Sequence, residues 1–369
     1  MYRALFRYVP LAVGLLVVSG LVFPRCRQLR MRVRAQAIWA MVILLCCSKF
    51  ICFKALGGDE FNPDLPAAVI WIWDWLYSGT MLLCALALLT FFLRFRAKAW
   101  LLPALAWGLA AWGLYNGLCV PSVREVELVC ADLPPELDGY RIVQLSDLHC
   151  SCATWRGRTQ AVVDIANALQ PDLICLTGDF TDGAVGRIAP LAEPLRELRA
   201  RDGVFACTGN HEYYHDYASW TMRFYDTAAN IRFLSNACAF PRPGLALAGV
   251  PDPAGWGRGD DALPDPRLAF AAATNGEFRI LLQHRPEGAA ECARELGVRL
   301  QLSGHTHGGV APGLRPIVAS INGGFVRGLY ALGRSYLYVS PGCGQWGGFP
   351  MRLFNASEIT VLVLRRTGL

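Results

Sequence analysis

The sequence is short of charge. Asp, Glu, Lys and Arg make up 17% of its 369 residues and 54% are apolar, whereas an ordinary soluble domain carries roughly a quarter charged residues. That shortage excludes a disordered chain, and equally one that coats nucleic acid. Histidine is missing before residue 149 and lysine after residue 98. The first apolar stretch ends in Phe23-Pro24-Arg25, and no small-x-small cleavage pattern follows. It reads as a retained helix, not as a signal peptide that is removed.

What remains is unevenly divided. Residues 1–120 hold 12 Lys+Arg against 4 Asp+Glu, and the rest of the chain holds 23 against 25, so the net charges are +8 and −2. No basic patch for nucleic acid is implied after residue 120. The first part contains four apolar segments, at residues 4–23, 35–56, 67–92 and 99–120. Each has the ~20 residues that a helix needs to cross a bilayer. Arg7 near one end can reach the interface. The expectation is a transmembrane domain of four helices over residues 1–120, followed by a second domain over residues 121–369.

Orientation follows from the basic residues. Arg25, Arg27, Arg30, Arg32 and Arg34 lie between the first two segments, and Arg94, Arg96 and Lys98 between the last two. Arg3, Arg7, Lys54 and Arg124 lie on the other side, diluted by Asp59, Glu60 and Asp64. The rule puts both termini outside, making this a multi-pass protein of the cytoplasmic membrane whose second domain is extracytoplasmic. The cysteines point the other way. Eight of the 14 follow residue 120 without the spacing of a disulfide framework, and Cys175 and Cys207 sit in apolar runs as small buried hydrophobes. Within the apolar segments, Asp74, Lys49 and Lys54 read as an interhelical pair or as side chains that reach the interface. A pathway or head-group site is the alternative.

After residue 120 short strand-like runs alternate with helical ones. The runs RIVQLS (141–146), LICLT (173–177), GVFACT (203–208), FRILLQ (278–283) and 298–302 are apolar, and residues 159–169 have helical periodicity. Each of the five runs stops at a polar cluster: Asp147-Leu148-His149, Gly178-Asp179, Gly209-Asn210-His211-Glu212, His284, and Gly304-His305-Thr306-His307. Open α/β sheets bind ligands beyond the carboxyl ends of their strands, so five such ends can share one crevice. Runs at 245–250, 337–340 and 359–364 supply strands for a second sheet. Asp147 and His149, like His305 and His307, are two apart and project to one side of an extended strand end. A set of carboxylate, imidazole and one amide oxygen suits Mn, Fe or Zn. One carboxylate between two metals would make a clamp for in-line phosphoryl displacement.

The ordered blocks LSDLH, TGDFTDG, TGNHEYY, HRPE and SGHTHGG, with the tail PGCGQWGGFPMRLFNASEIT, resemble the calcineurin-like metallophosphoesterase superfamily and its YkuE-like membrane-associated branch over residues 125–364. The resemblance implies an α/β fold, a four-layer sandwich of two β-sheets flanked by helices, here preceded by the all-α four-helix transmembrane region. It implies two divalent metal ions. Asp147, His149, Asp179 and His307 would hold the first, and Asp179, Asn210, His284 and His305 the second, with Asp179 as bridge and a hydroxide between the metals as nucleophile. His211 would serve the leaving group as general acid, oriented by Asp182. The chain departs from the branch at Cys150-Ser151-Cys152, a redox gate or small residues filling a loop, and at Val310. His215 falls in no block and reads as a surface or supporting residue, and Trp346–Phe349 as either a lipid-contacting lip or core packing.

The expected function is a membrane-anchored phosphoesterase acting on a phosphoester or pyrophosphate bond. A substrate such as a phospholipid or lipid-linked sugar follows from tethering at the bilayer. The alternatives are a membrane-bound sensor or scaffold whose metal site is inactive or structural, and a nucleotide phosphodiesterase. The −2 charge and lack of lysine after residue 120 weigh against nucleic acid as a partner.

Overall fold

Alternation with both faces apolar shapes the larger part of the molecule. In the computed structural model, which describes residues 2–19, 32–56, 59–61, 63, 65–92, 101–183, 185–214, 230–257, 263–274 and 276–367, the chain divides into two compact units. One comprises Met1–Gly117 with Trp346–Leu353, the other Leu118–Gln345 with Phe354–Leu369.

Among the described residues the second unit is built on twelve strands: β1 Ser122–Cys130, β2 Arg141–Leu145, β3 Leu173–Thr177, β4 Val204–Cys207, β5 Ile231–Phe233, β6 Ala237–Arg242, β7 Leu245–Gly249, β8 Phe278–Leu282, β9 Val298–Ser303, β10 Gly328–Leu332, β11 Ser335–Val339 and β12 Glu358–Arg366. They form two six-stranded sheets, ordered β1-β12-β2-β3-β4-β5 and β10-β11-β9-β8-β7-β6. Both are mixed. β2, β3, β4 and β5 run parallel, while β12 is parallel to β1 and antiparallel to β2.

Successive strand residues point to opposite faces, and here each face has a core to enter. Ile142, Leu173, Cys175, Leu245, Leu247, Ile280, Leu300 and Leu302 fill the space between the sheets. Val143, Leu145, Ile174 and Leu176 pack outward with Val162, Val163, Ala166, Ile188 and Ala192, which come from helices Arg156–Ala168 and Val185–Ala192. Ala246, Ala248 and Leu281 pack outward against Ala269 and Cys292, from helices Pro266–Ala269 and Ala289–Leu296. Two mixed sheets are thus flanked by helices. The continuous apolar runs follow from burial on both faces.

The first unit is helical: α1 Tyr2–Val17, α2 Val33–Cys47, α3 Lys49–Ala55, α4 Ala67–Phe92 and α5 Leu101–Leu118, whose last residue falls beyond the unit. Among the described residues one helix is long and apolar enough to cross a membrane, over Ala67–Thr90. The α2–α3 pair counts as a second only if its 69° bend lies within one span. The apolar segment 35–56 is therefore not one straight helix. Ser48 explains the break: its amide is shared between Leu44 O and Leu45 O, and its hydroxyl donates to Leu45 O at 2.8 Å. A serine that bonds back along its own helix bends it.

Two ion pairs join charged residues of this unit. Lys49 Nζ lies 2.5 Å from Asp74 Oδ1, with both side chains buried, and donates to Gly347 O at 2.8 Å. Arg7 pairs with Glu60. Trp346 is buried and its ring packs against those of Phe61 and Phe349, at 5.5 and 5.6 Å, so core packing accounts for Trp346, whereas Phe349 is exposed. Arg25, Arg27, Arg30, Asp64, Arg94, Arg96, Lys98 and His215 lie outside the described residues.

Candidate metal centre

Strand ends of both sheets supply the polar residues, and the backbone turns sharply to aim them. Asp147, His149, Asp179, His305 and His307 all adopt positive φ, between 45° and 69°. That left-handed conformation costs an L-residue roughly 1–3 kcal/mol and persists only where its surroundings enforce it. Two glycines permit the close approach. A Cβ on Gly209 would collide with the Asp179 carboxylate, and one on Gly304 with Ser146 Oγ and Asp147 Oδ2.

Hydrogen bonds fix the carboxylates. Asp147 accepts from Ser146 Oγ at 2.6 Å and from the His305 amide at 3.1 Å. Asp179 Oδ1 accepts from the His211 amide at 2.9 Å. Asp182 Oδ1 lies 3.0 Å from His149 Nδ1 and 2.5 Å from His211 Nδ1, so one carboxylate grips two imidazoles. This grip turns the Nε2 atom of both rings away from Asp182, toward Asp179 Oδ2 at 3.9 and 4.0 Å. His284 Nδ1 donates to Thr177 O at 2.7 Å, which leaves its Nε2 facing Asp179 Oδ2 at 3.2 Å.

Three overlapping groups result: Asp147, His149 and His307; His149, Asp179 and His211; and Asp179, His284 and His305. Within each, the ligand atoms lie within 4.8 Å of one another. The contacts are of a kind that a cation resolves. His149 Nε2 and His307 Nε2 stand 3.1 Å apart. Asn210 Oδ1 is buried without a hydrogen-bond partner among the described residues. Buried acceptors so arranged are costly unless compensated, and their mixed O/N chemistry fits a divalent first-row metal. The residues present therefore fit such ions.

The electrostatics agree. Burial opposes a charged His284, but the Asp179 carboxylate outweighs it and raises the imidazole to about 10. Burial likewise opposes charge on His211, and Asp182 with Asp179 raises it to about 9. Asp179 and Asp182 are buried, yet the facing imidazoles hold both below the usual carboxylate range. A negative field that draws protons to these nitrogens draws a divalent cation to the same atoms.

Three further features of the site have no motif of their own in the sequence reading. Glu212 is buried and accepts from the amides of Gly209, Phe180 and Asp179 at 2.7, 2.8 and 3.0 Å, tying two strand-end turns together. Asn355 donates to His307 O and accepts from Arg327 at 2.7 Å. Asp252, just past β7, pairs with Arg285. Glu212 stood in a quoted block, but that a carboxylate would serve backbone amides and not a metal is invisible without the turn geometry. Cys150 is buried, with Sγ 3.5 Å from Thr159 Oγ1, and every cysteine among the described residues is a free thiol.

A two-sheet sandwich with Asp and His clustered over its strand ends defines a class, the metal-dependent hydrolases. The family model described as calcineurin-like phosphoesterase matches residues 140–309. A Danio rerio protein named transmembrane protein with metallophosphoesterase domain is 36% identical over 267 residues, 70% of this chain and 60% of that one. Bacillus subtilis (strain 168) has a relative named uncharacterized metallophosphoesterase YkuE. It is 32% identical over 247 residues, 64% of this chain and 82% of that protein. The chain belongs to the calcineurin-like phosphoesterase family. It spans about three-fifths of the length of the Danio rerio relative. A solved 5'-nucleotidase precursor from Thermus thermophilus is similar at a TM-score of 0.31 and 18% identity, over 46% of this chain and 42% of that one. At that distance the likeness carries no argument about substrate.

Proposed function

We propose that the chain is a membrane-anchored, dinuclear metal-dependent phosphoesterase that hydrolyses a phosphoester or pyrophosphate bond. The observation that carries the reading is Asp179: it belongs to two of the three ligand groups, with His149 and His211 on one side and His284 and His305 on the other. Asp147, His149, Asp179 and His307 would hold one ion, and Asp179, Asn210, His284 and His305 the other; Mn, Fe and Zn all suit these donors. When bound, two such ions supply Lewis-acid stabilisation of the phosphoryl group and lower the pKa of the attacking water.

The chain's own residues do the rest. Asp182, held to His211 Nδ1, fixes the tautomer and leaves Nε2 to carry a proton toward the leaving-group oxygen. The same carboxylate orients His149. Glu212 rigidifies the turns that present Asp179 and Asn210, and Ser146 fixes Asp147. A site required only for folding has no use for an oriented proton donor, which favours the enzyme over a sensor or scaffold.

The proposed arrangement is a transmembrane domain at residues 1–120, with four helices, and a catalytic domain at residues 121–369. The catalytic domain lies outside the cytoplasmic membrane by the basic-residue rule. Apolar helices at 67–92 and 101–118 support the anchor, as does the name of the Danio rerio relative. Tethering raises the effective concentration of a lipid head group at the site, so a phospholipid or lipid-linked sugar phosphate is the proposed substrate class.

The test is the initial rate on bis-p-nitrophenyl phosphate in detergent, before and after chelation and again after adding Mn²⁺. The reading predicts turnover that chelation abolishes and Mn²⁺ restores. Turnover indifferent to chelation contradicts it. Protease protection of the C-terminal domain in intact spheroplasts, against cleavage in inverted vesicles, contradicts the orientation.

A further inference from the structure

We infer that Arg285 is the phosphate-gripping cation of this site and biases it toward a terminal, doubly charged phosphate over a singly charged diester. The inference rests on the phosphoesterase reading and deepens it to a substrate class.

Arg285 follows His284 directly at the end of β8, so the chain that aims one imidazole into the centre also delivers this guanidinium to its rim. Asp252 holds it in a two-point grip, Nε to Oδ2 at 2.8 Å and Nη2 to Oδ1 at 3.1 Å. The anchor is itself built in: Asp252 is buried, its amide donates to Thr208 Oγ1 at 3.3 Å, and its Oδ1 also accepts from Ala254 N at 2.8 Å. Three strand ends, those of β4, β7 and β8, thus fix one guanidinium. The Arg285 side chain remains 29% exposed, whereas that of Asp252 is wholly covered. Nη1 makes no hydrogen bond among the described residues, so donors remain for a ligand. Tyr214, whose ring lies 5.1 Å from that of His211, acts electrostatically on Arg285. The residues that follow β4 and β8 include the proposed ligands Asn210 and His284, so the guanidinium stands beside the centre.

The composition makes this placement specific. With no lysine after residue 98, any long basic side chain that grips phosphate from this unit is an arginine, and an oriented guanidinium matches phosphate oxygens in a fork. A second negative charge on the phosphoryl group gains from that cation, whereas an esterified oxygen carries no charge to meet it.

The test uses the full chain in detergent, loaded with Mn²⁺, as wild type, Arg285→Gln, Arg285→Lys and Asp252→Asn. Calorimetry with inorganic phosphate gives affinity without turnover; p-nitrophenyl phosphate and bis-p-nitrophenyl phosphate give KM and kcat. Arg285→Gln is expected to weaken phosphate binding about tenfold or more. KM for the monoester should rise in step, with less change in kcat and a smaller change for the diester, while metal content is retained. Arg285→Lys should fall between, and Asp252→Asn should weaken phosphate binding although the cation is kept. Unchanged phosphate affinity in Arg285→Gln overturns the inference, as does an equal loss on both esters. Should Arg285→Gln fail to fold, unchanged affinity in both other variants overturns it. A wild type that binds phosphate through Arg285 but hydrolyses neither ester defeats the phosphoesterase reading and leaves the anion site standing.

Discussion

The helical unit and the sandwich both bury charge, and they do so in opposite ways. Lys49 meets Asp74 at 2.5 Å and Gly347 O at 2.8 Å, with the rings of Phe50, Phe53 and Tyr77 at 4.9, 5.3 and 5.4 Å from its ammonium. There a donor faces acceptors and the charges close on each other. At the sandwich's strand ends ligand atoms converge: His149 Nε2 lies 3.1 Å from His307 Nε2 and 3.9 Å from Asp179 Oδ2, and Asn210 Oδ1 is buried without a hydrogen-bond partner among the described residues. A buried pair of opposite charges is a structural device, whereas a cluster of carboxylates and imidazoles is built for something the chain must bind. Abundance of buried charge would not separate the two regions; the convergence of several metal-ligating atoms on one place does.

The comparison can be broken at several points. Of the variants that spare the proposed ligands, the largest effect is expected at His211→Ala, which removes the proton donor. Turnover should fall about 10²–10⁴-fold, more steeply for poor leaving groups, with both metals retained; an equal loss for all leaving groups removes His211 from that role. Next, Lys49→Met leaves Asp74 buried alone and should cost about 3–5 kcal/mol of stability. The Lys49→Met/Asp74→Leu double variant should recover most of it, as thermal unfolding in detergent would read. A double variant as unstable as the single one means the pair was not closed. Glu212→Gln exchanges a carboxylate that accepts three amides for a group with one acceptor oxygen, and should destabilise the sandwich by about 1–3 kcal/mol, with a loss of rate that tracks loosened turns. Smallest is Cys150→Ala/Cys152→Ala, expected to leave turnover within about twofold with or without peroxide, because Cys150 is buried and Cys152 half-buried, and burial pushes both thiols above their ordinary pKa and away from the reactive thiolate. Peroxide-sensitive wild-type turnover, abolished as a sensitivity in the double variant, would restore the redox gate.

The candidate centre was largely legible because its residues obey a local rule: an apolar run stops and a polar cluster begins, five times over. Alternation and apolar continuity likewise marked β2, β3, β4, β8 and β9. Neighbours were not legible. Nothing local says that β12 enters between β1 and β2, parallel to one and antiparallel to the other, since register and partner are settled by packing across the whole sandwich. Nor does periodicity distinguish a straight apolar helix from one that bends at Ser48, where a single hydroxyl competes for a carbonyl. Asp252 and Arg285 escaped for a related reason. They are 33 residues apart, meet only because β7 and β8 lie side by side, and neither is a metal-ligand type in a recognisable spacing. Trp346–Leu353, which belongs with the helices, shows that order along the chain does not fix membership in a unit.

The central claim is that Asp179 joins two metal positions into one centre. The most direct test measures bound metal by mass spectrometry, with the rate on bis-p-nitrophenyl phosphate, for the Mn²⁺-loaded wild type beside Asp179→Asn. The account predicts about two ions per chain and turnover in the wild type, against one or none and a rate lower by about 10³-fold or more in the variant. Equal metal content with undiminished turnover in Asp179→Asn would contradict it.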